Sequence, residues 1–123
     1  MGRNVSMEII VLGKPIHIFL SKTSWGIDVL ITGGDRPHIG AVSVVDDQGH
    51  LHTQVFEGHK DDFISEEWAK TLHEQHQVPV VVSVGIHYDG IDPAGIKMIV
   101  RTLRKQLDSI VTDMCGEHEN GQT

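Results

Sequence analysis

The sequence predicts an α+β domain, an antiparallel sheet of about six strands with two helices packed on one face. Three observations predict it. Val and Ile total 27 residues against 7 Leu, a β-branched bias that suits a pleated sheet better than a helix bundle. Short apolar runs punctuated by Gly, Pro and Asp fill the first half of the chain. Two later segments carry helix start signals instead. With 123 residues there is room for one domain, set at residues 1–114, followed by a polar and flexible tail over 115–123.

The elements follow in order. Residues 8–12 and 16–20 are apolar runs around Gly13-Lys14-Pro15, which reads as two strands and a turn. Residues 25–32 form a mostly apolar strand running into Gly33-Gly34. Residues 41–45 and 51–56 flank Asp46-Asp47-Gln48-Gly49 and pair as a hairpin. Ser65 is placed to cap a helix whose first turn holds Glu66 and Glu67, where the positive end of the macrodipole favours carboxylates. That helix runs to about His76 and stops before Pro79. Residues 78–85 are nearly continuous in β-branched residues, a strand buried on both faces. Asp92 then caps a second helix with Pro93 at its first position. Ile96, Ile99, Val100, Leu103, Leu107, Ile110, Val111 and Met114 fall on one stripe of it, with Arg101, Arg104, Lys105 and Asp108 opposite.

Composition excludes several functions. Seventeen acidic and ten basic residues give a net charge of −7, a surface that repels phosphate backbones and disfavours general nucleic-acid binding. The single cysteine, Cys115, precludes an internal disulfide or a cysteine-rich zinc site. The longest uncharged apolar stretch, residues 78–86, is far short of the roughly 20 residues of a membrane span. A cytoplasmic protein is expected. Matches to the myristoylation and glycosylation patterns over residues 1–6 are too short to carry weight.

Nine histidines are the unusual count. Protonating all nine would move the net charge from −7 to +2. His50 and His52 sit on a hairpin edge, His73 and His76 at a helix end that favours cations, His17 on an exposed strand face and His118 in the tail. The other three lie beside glycines at predicted strand ends: His38 in Gly33-Gly34-Asp35-Arg36-Pro37-His38-Ile39-Gly40-Ala41, His59 in Gly58-His59-Lys60-Asp61-Asp62, and His87 in Gly85-Ile86-His87-Tyr88-Asp89. Strand-end loops collect functional groups on a rigid sheet. Convergence of His38, His59 and His87, with Asp89, Asp35 or Asp61 beside them, would suit a divalent metal ion. The glycine loop, with backbone N–H groups and the Arg36 fork, suits a phosphate or carboxylate, although it is neither a P-loop nor a dinucleotide fingerprint. No nucleophile elbow is present, and Cys115 is poorly placed for catalysis.

Taken together, Gly33-Gly34-x-x-Pro37-His38-Ile39-Gly40-Ala41-Val42, Gly58-His59-Lys60-x-Asp62 and Gly85-Ile86-His87-x-Asp89 resemble the LpdD-like accessory subunits of gallate-type aromatic acid decarboxylases, over roughly residues 16–111. The resemblance implies a proteasome-assembly-chaperone-like fold, a homodimer, and a non-catalytic accessory protein. It also implies binding of prenylated FMN (or FMN) and handover to a UbiD-type decarboxylase catalytic subunit. Gly33, Gly34, Asp35, Arg36, His38, Gly40 and Lys60 are the expected cofactor-binding residues. His38, His59, His87 and Asp89 are the expected ligands of a divalent metal ion. Two alternatives use the same sequence: a small metal-dependent enzyme built on the three histidines, or a purely protein-binding assembly module.

Overall fold

A computed structural model describes residues 2–56 and 61–121, with side chains described as far as residue 114. Six strands and two helices follow the expected order: β1 (Arg3–Val11), β2 (Lys14–Lys22), β3 (Ile27–Gly34), β4 (Ala41–Val45), β5 (Leu51–Val55), α1 (Asp61–His76), β6 (Val80–His87) and α2 (Pro93–Gly121). The first hairpin turns through Leu12 and Gly13, both at positive φ, which matches the right-handed twist of its strands. That tight turn lets β1 and β2 pair along nine residues each, longer than the apolar runs alone suggest.

The strand order is β1-β2-β3-β6-β4-β5, with every neighbouring pair antiparallel except β3 and β6. The sheet is therefore mostly antiparallel but not a simple meander. The chain leaves β3, crosses the end of β6, builds the β4–β5 hairpin, and returns through α1 to insert β6 between β3 and β4. A helical return of this kind is what a parallel neighbour requires. Sequence-local signals specify hairpins, and they do not reveal a central strand laid down last.

Burial alternates along each strand. Ile16, Ile18 and Leu20 of β2, Val29 and Ile31 of β3, and Val80, Val82 and Val84 of β6 form the core floor. Trp68 and Leu72 of α1 and Leu103 and Leu107 of α2 close it from above. α1 packs across β6 and β4, while α2 contacts α1 and β1. The expected α2 stripe supplies Ile99, Leu103, Leu107, Ile110 and Met114 to the core. Its start is as expected too, with Pro93 first in the helix and Asp92 Oδ1 accepting the Gly95 N–H at 2.8 Å. Its backbone remains helical through Gly121, past the boundary expected at residue 115.

α1 differs at its start. Ser65 lies inside the helix, not at its cap, because its hydroxyl is buried and bonded at 2.7 Å to Ser43 Oγ on β4. The first turn instead carries Asp61 and Asp62, which suit the same dipole. Trp25, expected to begin β3, lies in the exposed turn before it, closed by Thr23 N–H to Gly26 O at 2.9 Å.

Candidate functional site

β3 and β6 run parallel, so their carboxyl ends meet at one edge of the sheet. This is where ligand sites of parallel strands form. The loop over residues 35–40 crosses that edge. A Cβ on Gly85 would lie 1.6 Å from the His38 carbonyl oxygen, so only glycine lets the crossing backbone approach β6 this closely. Gly34, at φ 82°, turns the chain into the loop, and a Cβ there would meet His87 O at 2.3 Å. Of the glycines expected to cradle an anion, Gly34 is thus required by its close approach to β6, and Gly33 by its approach to β2, where a Cβ would lie 2.6 Å from Pro15 O. The loop's amides are also engaged: Asp35 and Arg36 N–H donate to His87 O, and Gly40 N–H donates to Val84 O at 2.8 Å. Arg36 is exposed beside them.

His38 is held inward by this loop. Its Nδ1 donates to Arg36 O at 3.0 Å, since a carbonyl only accepts. Nε2 then faces Asp61 Oδ2 at 3.5 Å. Asp61 is only 3% exposed; its Oδ1 accepts the Ile86 N–H at 3.2 Å, and its Oδ2 is buried with no hydrogen-bond partner. Burial pushes the Asp61 carboxyl above its ordinary value, opposed by the Ile86 amide and the nearby His38.

Three neighbours complete the edge. His87 Nε2 bonds Asp89 Oδ1 at 2.9 Å. Asp35 accepts the Asp89 N–H at 2.9 Å and pairs with Lys14 at 3.3 Å; that amide, then Lys14, holds its carboxyl below the usual range. The buried Tyr88 donates from its hydroxyl to Val11 O at 2.7 Å, fastening the loop after β6 to the first hairpin.

Behind His87 and Asp61 lies a cavity of about 140 Å³ between β6, α1 and α2, walled by Ile64, Ile86, Ile91 and Ile99 among others. It is mainly apolar, with Asp61, His87 and Tyr88 as its polar residues. A void of this size accepts a benzene-sized group. It shares Ile96 and Val100 with a broader cleft of about 580 Å³ between the helices, which Phe63, Lys97 and Arg101 also line.

The expected site residues divide accordingly. His38 and His87 come to the same edge, together with Asp35, Arg36, Gly33, Gly34, Gly40 and Asp89. His59 and Lys60 lie outside the described residues. Among the described residues no three side chains of ligand type come together to hold a metal ion. The metal centre expected on His38, His59, His87 and Asp89 is therefore unsupported: His38 and His87 each face a carboxylate of their own. Sequence reasoning missed Tyr88, Lys97 and the cleft. For the two residues a signal was present, since Tyr88 sits inside the His87–Asp89 motif and Lys97 precedes Arg101 by one helical turn; for the cleft there was none.

A family model for the prenylated flavin chaperone LpdD-like domain matches residues 12–115. The chain belongs to this family. Protein LpdD of Lactiplantibacillus plantarum is 30% identical to this LpdD-like chain over 89 residues, covering 68% of this chain and 65% of that protein. The LpdD-like chain thus spans just under two-thirds of that relative's length. In fold it is similar to a solved chaperone complex for yeast 20S proteasome assembly, with a TM-score of 0.61 and 14% identity over 90% of this chain and 96% of the other. Among the described residues no helix is long and apolar enough to cross a membrane.

Proposed function

We propose that the protein is a non-catalytic chaperone that binds prenylated FMN and delivers it to a UbiD-type aromatic acid decarboxylase. The single observation that carries this reading, beside family membership, is the apolar cavity at the carboxyl edge of β3 and β6. Its volume suits a prenyl group or ring edge, and Asp61 Oδ2 supplies a buried polar atom still open to a partner. In this reading Gly33, Gly34, Asp35, Arg36, His38 and Gly40, on the loop that crosses the same carboxyl edge, are the further residues that meet the flavin. A carrier must release what it holds, and a half-open cavity with few polar contacts favours transfer over permanent retention.

A homodimer belongs to the same proposal. The sheet face away from the helices carries Phe19 and Leu30 as a cross-strand pair, with Val42, Val44 and Val81 beside them. An uncovered apolar face of this kind is what a second copy would bury.

Delivery is tested by adding the flavin-loaded protein to an apo-decarboxylase. Faster recovery of decarboxylation than with free prenylated FMN at equal concentration is expected. Equal recovery with and without the protein would overturn the chaperone reading. The same assay with and without added divalent cations examines the metal ion: unchanged flavin binding in chelator is expected, and its loss would restore a metal to the site.

A further inference from the structure

We infer that the cleft between α1 and α2 is the seat of a phosphate monoester, with Lys97 and Arg101 as its anchors. This rests on the flavin reading above and moves the anion away from the glycine loop. Lys97 and Arg101 are one turn apart on α2, so both point from the same wall of the helix into the cleft. Both are exposed, and neither has an ion-pair partner among the described residues. Arg104, on the same wall, is by contrast committed to Glu67 through Nη2 to Oε2 at 3.0 Å and Nε to both oxygens at 3.2 Å.

The opposite wall carries Asp62 and Glu66 of α1, with Phe63 exposed beside them. The cleft is therefore split in charge. A simple anion would be repelled by one wall, whereas a phosphate joined to a hydroxylated chain matches both. The phosphate meets the cations of α2 and the hydroxyls donate to the carboxylates of α1. At about 580 Å³ the cleft falls in the span of small-molecule sites, roughly 300–1,000 Å³. Its floor residues Ile96 and Val100 also wall the 140 Å³ cavity. One ligand can thus lay its polar phosphate arm in the cleft and its apolar end in the cavity. The loop over residues 35–40 is less suited to the phosphate, because its Asp35, Arg36 and Gly40 amides already donate to β6.

The test titrates the protein with prenylated FMN and with its phosphatase product, prenylated riboflavin, following flavin fluorescence. The wild type is expected to favour the phosphorylated form by ten-fold or more. Lys97→Ala with Arg101→Ala should erase that preference and leave prenylated riboflavin binding unchanged, with an unaltered melting temperature. Lys97→Glu with Arg101→Glu should reverse it. A double variant that keeps the wild-type preference, with Arg36→Ala losing it, would overturn the assignment and return the phosphate to the glycine loop. Failure of the folded wild type to bind either flavin would overturn the flavin reading and the assignment with it.

Discussion

Asp61 is a carboxyl kept where ionisation is unfavourable, with one oxygen bonded to the Ile86 amide and the other facing His38 across 3.5 Å. Because burial raises it above 3.8, the folded state binds this proton more readily than the unfolded chain. Its contribution to stability is therefore fully present below about 3.8 and is lost as pH rises through the raised value. Asp61→Asn keeps an acceptor for Ile86 and supplies a permanent donor toward His38 Nε2. Urea unfolding should show the variant gaining on the wild type as pH rises from acid to neutral; a constant difference across that range would contradict this protonation. Tyr88→Phe should cost about 1–3 kcal/mol, since it strips the Val11 carbonyl of a buried donor, and chemical denaturation measures it directly.

At the scale of elements, the crossing of residues 35–40 over β6 constrains the site most. Gly85→Ala would drive a methyl into the His38 carbonyl, so the loop must lift or β6 must shift. A loss of about 1–3 kcal/mol or more is expected in thermal unfolding, together with weakened flavin binding as His38 moves from Asp61. Asp92→Ala removes the α2 cap and should cost about 1 kcal/mol. These cases also explain what the sequence made legible. Asp92-Pro93 and the α2 stripe are local signals, and they placed that helix correctly. Gly85 signalled a special position, but whether it served a ligand or a crossing strand depended on β6 lying between β3 and β4, a pairing of residues far apart in the chain. Ser65 misled for a related reason: a serine before two glutamates reads as a cap until Ser43, on another element, takes its hydroxyl. Their glycine neighbours pointed to His38 and His87, which lie at one edge of the sheet, while the cleft, formed by two helices meeting, had no contiguous motif to announce it.

Across the whole molecule, the helices cover one sheet face and leave the other with Phe19, Leu30, Val42, Val44 and Val81. If the proposed homodimer forms through this face, Phe19→Lys with Val44→Lys should convert a two-chain species to single chains in light scattering without unfolding them, whereas a mass equal to that of the wild type would contradict a dimer built on this face. The net charge of −7 does not oppose an anionic ligand when Lys97 and Arg101, without an ion-pair partner among the described residues, share one wall of a cleft. The most direct measurement is native mass spectrometry of the protein mixed with excess prenylated FMN. A mass increase of one prenylated flavin per chain is expected, retained under gentle desolvation and lost when the cavity is blocked by Ile99→Trp. Folded protein that emerges at its own mass alone, with no flavin attached, would contradict a role in carrying it.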